Sequence, residues 1–257
     1  MKLSANLSML FTEFPFPNRF AEAARSGFSA VEFWFPFDNG GKKLIPIIQD
    51  SGVQVVLFNL SPGDTSQGEW GTLGLPGKEY HFKQAFEQAV DLALQLGCHR
   101  LNALAGIPPD SVEHESCIDT IHHNLEWAAG QLPDEIILLI EALNPIDKPG
   151  YLLPTSEYSL ALVKEIDNPR IGLLYDIYHA FQVGSDIFRI IEEDLPWVGH
   201  IQIADSPNRH QPGTGKIPFE RVFRELEMAG YEGYIGLEYR PLGSTSEALK
   251  WCQTWAI

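Results

Sequence analysis

Four short apolar segments of this chain each end in a side chain that offers an oxygen donor. The segments are ILLIEAL, IGLLYDIYH, HIQIAD and YIGLEY, and their donors are Glu141, Asp176, Gln202 and Glu238. Successive donors are about 26 to 36 residues apart, roughly the length of one strand, one helix and two loops. An ionised carboxylate at the end of a buried strand is unfavourable unless it is paired or binds a cation. We therefore predict that the four side chains converge on one site.

The chemistry of such a site follows from its donors, which are three carboxylates and one amide oxygen. Carboxylates this close repel one another, and some bind protons unless a cation is present. A set of oxygen donors without His or Cys favours Mg²⁺ or Mn²⁺ over structural zinc. For any one of these acids alone, a salt bridge to a nearby Lys or Arg is the simpler explanation. The common spacing of all four favours a shared metal site.

The segments that carry these donors belong to a regular alternation of strands and helices. Apolar runs predict strands at residues 2–8, 30–35, 53–60, 100–106, 136–143, 171–177, 198–204 and 234–239. Amphipathic patterns and stop signals predict helices at residues 18–26, 42–50, 80–96, 112–129, 156–166, 185–193, 219–229 and 247–255. This alternation implies parallel strands joined by right-handed crossovers.

A closed (β/α)8 TIM barrel fits this alternation better than an open, doubly wound sheet. An open sheet is expected to carry a glycine-rich phosphate loop after its first strand, and none follows residues 2–8. A length of 257 residues is usual for such a barrel. The sequence shows no linker-like tract, so we predict one domain over residues 1–257. Catalytic groups of a barrel project from the C-terminal ends of its strands, where all four donors lie.

The composition argues against several classes of partner. A net charge of −16 opposes binding to nucleic acid or to anionic membrane surfaces. No apolar run reaches the ~18–20 residues that cross a bilayer, and the N-terminal sequence lacks a signal-peptide cleavage region. Cys98, Cys117 and Cys252 form no metal-binding or disulfide pattern, so we expect reduced thiols in the cytoplasm. Trp251 and Trp255 suggest an exposed homo-oligomer interface, although packing at the barrel end explains them equally well.

Several motifs resemble those of a known enzyme family. They are ANLSMLFTEFPF at 5–16, AVEFWFPF at 30–37, SPGDTSQGEWG at 61–71, EALNP at 141–145, YDIYH at 175–179, HIQIADSPNRHQPGTGKI at 200–217 and GYIGLEYRP at 233–241. Over nearly its full length the chain resembles the hydroxypyruvate isomerase family, which includes the 2-oxo-tetronate isomerases, within the xylose isomerase-like barrel superfamily. The stretch at 200–217 is the most distinctive part of this resemblance.

The resemblance implies roles for the residues at the strand ends. The family's metal ligands correspond to the four oxygen donors, and its two acid/base residues correspond to Glu141 and Glu238. Gln202 stands where some relatives have His, and members of the family differ in their dependence on metal. His179 matches a substrate-binding histidine of related ketose epimerases, with a local hydrogen bond at a helix start as the alternative. His200 shares the inward face of its strand with Gln202, and is either substrate-binding or a core histidine.

The loops add further candidates for substrate binding. Arg209 is suited to bind a substrate carboxylate because a guanidinium binds carboxylates with two parallel hydrogen bonds. Glu69 and Trp70 lie in a long glycine-rich loop of the kind that closes over a substrate and excludes water. Asn59 and Glu32 are candidates for the pocket floor. For each of these residues the alternative is a structural role, in packing or on the solvated surface.

The resemblance therefore implies an intramolecular oxidoreductase that moves the carbonyl group of a small hydroxy-oxo acid. The expected reactions are hydroxypyruvate to tartronate semialdehyde and 2-oxo-tetronate to 3-oxo-tetronate. A carboxylate removes a proton from carbon, and the resulting enediolate takes one back at the neighbouring carbon. The alternatives are a ketose 3-epimerase with the same donors, a nuclease of the endonuclease IV kind, and a barrel that binds a metal or sugar acid without turnover. The net charge and Gln202 argue against the nuclease.

Overall fold

Eight parallel strands close into a barrel in which each strand pairs with its neighbours in sequence order, and the last strand pairs with the first. The computed structural model describes residues 1–65 and 68–254 of the 257-residue chain. The strands are β1 Lys2–Asn6, β2 Ala30–Phe33, β3 Gln54–Asn59, β4 Arg100–Ala103, β5 Ile137–Glu141, β6 Ile171–Asp176, β7 Val198–Ile203 and β8 Tyr234–Leu237. The predicted (β/α)8 TIM barrel is confirmed.

The helices lie between the strands and cover the outside of the barrel. They are α1 Phe16–Arg25, α2 Leu44–Ser51, α3 Glu79–Leu96, α4 His114–Gln131, α5 Ser156–Ile166, α6 Ile177–Gln182, α7 Arg189–Glu193, α8 Phe219–Met228, α9 Thr245–Ala248 and α10 Trp251–Thr254. Helix α8 shows why they form, because Phe219, Val222, Phe223 and Leu226 recur at helical spacing and are all buried. Among the described residues, no helix is both long enough and apolar enough to cross a bilayer.

The segment after β6 differs from its prediction. The sequence predicts a helix over residues 185–193, and the structure has a shorter helix, α7, that begins at Arg189. A further helix, α6, begins at Ile177 directly after the strand. Asp176 caps this helix, because its side chain accepts a hydrogen bond of 2.8 Å from the backbone N–H of Tyr178. The apolar pattern continues from strand to helix without a break, which hides the boundary in the sequence.

The C-terminal region also differs, because two short helices, α9 and α10, replace the single predicted helix at 247–255. Trp251 is only 8% exposed and stacks on Phe223 with a centroid distance of 5.9 Å. Its indole Nε1–H donates to the hydroxyl of Tyr239 at 3.1 Å. Of the two explanations given for Trp251, an exposed interface or packing at the barrel end, the structure shows the packing. Trp255 lies outside the described residues, and the homo-oligomer stays a prediction.

The interior of the barrel holds a small apolar layer beneath the strand ends. Leu57, Leu139 and Leu174 are at most 2% exposed and pack together there, with Ile137 against them. Leu139 and Leu174 lie two residues before Glu141 and Asp176, so the alternation of a strand turns these donors inward as well. Gly199 makes room for this layer, because a Cβ at position 199 would lie 2.5 Å from Cδ2 of Leu139.

Truncation of Leu139 tests the importance of this layer. We expect Leu139→Ala to lower the free energy of unfolding by about 3 kcal/mol, because a buried leucine that loses its side chain leaves a cavity. Urea denaturation measures the change. Leu94, which is 49% exposed on α3, gives the matched control, and Leu94→Ala is expected to cost less than about 0.5 kcal/mol. Equal losses in the two variants would contradict the assignment of Leu139 to the barrel interior.

Candidate active site

A cavity of about 380 Å³ opens at the C-terminal ends of the strands. Its walls come from several strands and from the loops that follow them, and the lining residues are Trp34, Phe35, Asn59, Trp70, Leu104, Glu141, Leu143, Asp147, Lys148, His179, Arg209, Glu238 and Arg240. Five of the predicted site residues are not among the lining residues, namely Asp176, Gln202, Glu69, His200 and Glu32. Their positions are given by their contacts.

Arg209 joins two of the predicted acids. Its Nη2 donates to Oδ2 of Asp176 at 3.2 Å and also to Oε2 of Glu238. The other oxygen of Glu238, Oε1, accepts hydrogen bonds from Nδ2 of Asn6 at 3.1 Å and from Nε1 of Trp34. Glu238 is thus held from both sides, with a cation on one oxygen and two neutral donors on the other.

Glu141 is the last residue of β5 and faces the same cavity. Its Oε2 accepts a hydrogen bond of 2.8 Å from Nδ2 of Asn102, and that amide also donates to Oδ1 of Asn59 at 3.2 Å. Burial, reinforced by the charges of Glu238 and Asp176, raises the pKa of Glu141 well above its usual range. A carboxyl group with a pKa raised toward neutrality is suited to give and take protons at carbon.

Asp176 and His179 lie side by side at the start of α6. Burial raises the pKa of Asp176 to about 7, against the opposing charge of Arg209. His179 Nδ1 accepts a hydrogen bond of 3.0 Å from the backbone N–H of Asn144 and a second one from that residue's amide group. Two donors at Nδ1 place the proton of the neutral ring on Nε2. That Nε2 lies 3.6 Å from Oδ2 of Asp176, and it has no hydrogen-bond partner within the described ranges.

The donors at the cavity are suited to a divalent cation. One ligand atom from each of Glu141, Asp176 and His179 lies within 4.8 Å of the others. The proton on Nε2 makes His179 a poor ligand, because a metal needs the lone pair of that nitrogen. Gln202 offers a better donor. Its Nε2 donates to Glu32 at 2.7 Å, and its buried Oε1 has no partner among the residues that the structure describes.

A buried carboxylate, Glu32, organises the floor beneath the donors. It accepts hydrogen bonds of 2.7 Å from Oγ of Ser4, Nε2 of His200 and Nε2 of Gln202, and one of 3.2 Å from Nδ2 of Asn6. His200 is therefore bonded to the floor. The bond to Glu32 fixes which end of the Gln202 amide faces away from the floor. The sequence makes Glu32 a candidate for the pocket floor; in the structure it lies beneath the cavity and orients two neighbouring amides, those of Asn6 and Gln202.

The distinctive loop after β7 is folded around a second buried carboxylate, Asp205. Its two oxygens accept backbone N–H groups from Gly213 at 2.9 Å, Gly215 at 2.7 Å and Ile217 at 3.1 Å. Gly215 is required here, because a Cβ at this position would lie 2.0 Å from a backbone oxygen of the loop. Arg209 lies inside this loop with a φ of 58°, a conformation that is unfavourable for a side chain of its size. The loop thus holds Arg209 over the acids.

The long loop after β3 brings Trp70 to the cavity. Trp70 lines it and packs edge-on against Phe35 with a centroid distance of 6.4 Å. Glu69 is turned away, and its Oε1 accepts a hydrogen bond of 2.9 Å from Nζ of Lys78. Glu69 therefore stabilises the loop in this structure, and binding of a substrate by Glu69 stays a prediction.

Several residues of the site were not predicted from the sequence to be functional. Asn6, Trp34 and Asn102 lie at or just after strand ends, so the rule that selected the four donors could also have selected them. Lys148 and Arg240 line the cavity from loops, and neither has a spacing or motif that distinguishes it from an ordinary surface cation.

Comparison with known proteins places the chain in a family. The model of xylose isomerase-like TIM barrels matches residues 20–255. The chain belongs to this family. Within it, the chain is 38% identical over 255 residues to a 2-oxo-tetronate isomerase of Pectobacterium atrosepticum, with 99% of this chain and 97% of the relative covered. It is 36% identical over 252 residues to the hydroxypyruvate isomerase of Escherichia coli, with 98% of each covered.

A solved structure shows the same similarity in three dimensions. The crystal structure of an AP endonuclease, family 2, from Brucella melitensis superimposes with a TM-score of 0.94 at 36% identity, and covers 99% of this chain and 98% of the other. The predicted membership of the xylose isomerase-like superfamily is confirmed.

The buried network of this xylose isomerase-like barrel predicts the effect of replacing Glu32. We expect Glu32→Gln to lower the free energy of unfolding by about 3 kcal/mol, because an amide cannot accept from all of its present donors. Denaturation in urea gives the value. The control is Glu193→Gln, which breaks an exposed pair with Arg189 and is expected to cost less than about 1 kcal/mol. A Glu32→Gln protein as stable as the control would show that the network is dispensable.

The raised pKa of Asp176 predicts a dependence of stability on pH. Because the folded pKa is above the unfolded one, folding favours the protonated form, so the stabilisation is complete below about pH 4 and is lost as the pH rises through about 7. In chelator-treated protein, Asp176→Asn should lose the part of this decline in Tm that comes from Asp176, while Glu141 and Glu238, whose pKa values burial also raises, keep the rest. The exposed Asp134 provides a matched Asp134→Asn control, which should keep the wild-type slope. Parallel profiles for wild type and Asp176→Asn would refute the shift.

Proposed function

We propose that this protein is an isomerase of a small hydroxy-oxo acid. Hydroxypyruvate to tartronate semialdehyde and 2-oxo-tetronate to 3-oxo-tetronate are the two reactions that the relatives' names suggest. The observation that carries the proposal is that Glu141 at the end of β5 and Glu238 directly after β8 line one cavity of about 380 Å³. Two carboxyl groups that share so small a cavity can serve neighbouring carbons of one substrate.

The proton transfer is divided between the two glutamates by their surroundings. Burial raises the pKa of both, and the charge of Arg209 opposes this shift at both, while Glu238 also accepts a hydrogen bond from the guanidinium. Glu238 is thus the base that removes a proton from the hydroxyl-bearing carbon, which gives an enediolate. Glu141 starts protonated and gives its proton to the former carbonyl carbon, and afterwards the two glutamates regain their starting states by exchanging protons with solvent. The hydroxyl proton passes from one substrate oxygen to the other, so the product has the same atoms as the substrate.

A divalent metal fits this site, with Glu141, Asp176, Glu238 and Gln202 as the residues that would hold it. The unpartnered Oε1 of Gln202 supports this set, since a buried acceptor without a donor is unfavourable unless a ligand satisfies it. When bound, Mg²⁺ or Mn²⁺ would stabilise the negative oxygens of the enediolate. His179 completes the site as a neutral donor, because its free Nε2–H faces the acids and can reach a substrate oxygen.

One proposed role of Arg209 is to keep the side chains of Asp176 and Glu238 in position. Its guanidinium bonds both Glu238 and Asp176, which keeps the two side chains in place and favours their ionised forms. Binding of the substrate carboxylate by Arg209 remains a prediction from the sequence. Trp70 and Asn59 line the cavity and are proposed as the apolar and polar sides of the substrate pocket.

The name of the solved relative raises a nuclease as an alternative. A nuclease must attract a polyanionic backbone, and it commonly does so with a basic surface. This chain has a net charge of −16, and its cavity is lined by three acids beside three cations. The charge therefore favours a small substrate over DNA.

Replacement of the two glutamates tests the mechanism. We expect Glu141→Gln and Glu238→Gln each to reduce kcat by about 10²- to 10⁴-fold on the preferred acid, because each removes one proton-transfer group. The assay is a substrate screen with and without chelator, across hydroxypyruvate, the oxo-tetronates and ketohexoses. Glu227→Gln, on the exposed face of α8, is the control and should leave kcat unchanged.

The outcomes of the screen separate the remaining functions. Turnover of ketohexoses but not of the acids would support a ketose 3-epimerase. Binding of an acid without turnover by the wild type would support a binding barrel. Full activity in both glutamine variants would exclude the two glutamates as the acid/base pair.

A further inference from the structure

We propose that Lys148 binds the carboxylate group of the substrate, and that Trp70 holds the lysine in position for this contact. The inference rests on the proposed function, because only an acid substrate brings a carboxylate into the cavity. It assigns the specificity for acids over neutral sugars to a loop residue that follows β5.

The position of Lys148 is set by an aromatic ring. Its Nζ lies 3.0 Å from the centroid of Trp70, and both residues line the cavity. A cation–π contact holds an ammonium group without neutralising its charge. The structure records no ion pair for Lys148 among the described residues. Its charge is therefore directed at the cavity and is available to an anionic ligand.

Asp147, the acid next to Lys148 in the sequence, forms no salt bridge with the lysine among the described residues. Asp147 has its carboxylate in the N-terminal part of the loop, where Oδ2 accepts a hydrogen bond of 3.1 Å from Nδ2 of Asn144. The same Asn144 binds His179, so Asp147 belongs to the framework that fixes the histidine. Asp147 and Lys148 both line the cavity, so the acid lies near the lysine but has another hydrogen-bond partner.

The rest of the cavity explains why such a cation is needed. Glu141 and Glu238 line the cavity and Asp176 lies beside them, so an anionic substrate is repelled at close range. Arg209 cannot fully offset this repulsion, because its Nη2 is shared between two of these acids. A cation that is not already paired with an acid has to supply the attraction, and Lys148 meets that condition.

Arg240 is the other cation that lines the cavity, and it is less suited to the role. It is exposed, so water screens its charge. Its backbone N–H donates to the carbonyl oxygen of Arg209 at 2.7 Å, and its own carbonyl bonds the ring of His210. We assign Arg240 to the rim of the cavity, where it supports the loop that carries Arg209.

The experiment compares Lys148→Met with Lys83→Met. Lys83 lies 4.9 Å from the ring centroid of Trp127 on the outside of the barrel, so its variant removes a lysine–tryptophan contact without touching the cavity. We expect Lys148→Met to raise KM for hydroxypyruvate by about 10- to 100-fold, the loss of one charged hydrogen bond. The kcat should change little, Lys148→Arg should recover most of the affinity, and Lys83→Met should behave as wild type.

A binding measurement keeps the inference separate from the catalytic proposal. Tryptophan fluorescence follows the binding of hydroxypyruvate and of dihydroxyacetone, in which a hydroxymethyl group replaces the carboxylate. Lys148→Met should weaken binding of the acid and leave binding of the neutral compound unchanged. If the wild type binds the acid through Lys148 but does not turn it over, the isomerase is wrong and the assignment of Lys148 stands. Equal affinity of wild type and Lys148→Met for the acid, or no binding of it by either, overturns the assignment.

Discussion

Three carboxyl groups buried at one barrel mouth constrain everything around them. Like charges cannot all be ionised in a water-poor cavity, so each must have a cation, a proton or a donor of its own. Arg209 donates to both Asp176 and Glu238, and the neutral amide of Asn102 donates to Glu141. The pKa values of Glu141, Asp176 and Glu238 are raised because these partners do not fully offset the cost of burying a charged carboxylate. That residual imbalance is what makes the site able to hold protons near neutrality, or a divalent ion in their place.

The same constraint explains the polar layer beneath the cavity. Glu32 is completely buried and accepts hydrogen bonds from four side chains. These bonds stabilise its carboxylate independently of the acids above it. Gly236 leaves the space for it, because a Cβ there would lie 2.4 Å from the Glu32 oxygens. Asn6 links the two levels by donating to both Glu32 and Glu238. Along the barrel axis, the apolar layer is thus followed by a polar layer and then by the strand-end carboxyl groups, all within a few residues of each strand.

The sequence predicts the fold and the positions of the strand-end side chains, because both depend on periodicity. Strand alternation and unit spacing select Glu141, Asp176, Gln202 and Glu238 without any knowledge of contacts. The network that partners them is less predictable, since the donors to Glu238 come from β1, from the end of β2 and from a distant loop. Lys148 could not be found at all, because a single loop lysine becomes distinctive only when its position above a tryptophan is known. Periodicity in the sequence identifies which residues lie at strand ends. Contacts between side chains from distant segments are known only from the structure.

The division of charge between strands and loops has a functional consequence. The carboxylates stand at the ends of strands, where pairing with neighbouring strands fixes them to the register of the sheet, as between Asp176 and Gln202. The cations Lys148 and Arg209 stand on loops, which vary in length and sequence more readily than a barrel strand. Proton transfer at carbon needs fixed geometry, whereas recognition of one substrate over another needs only a charge placed at the correct end of the cavity. A barrel built in this way can keep its chemistry while a change in one loop alters which carbonyl compound it accepts.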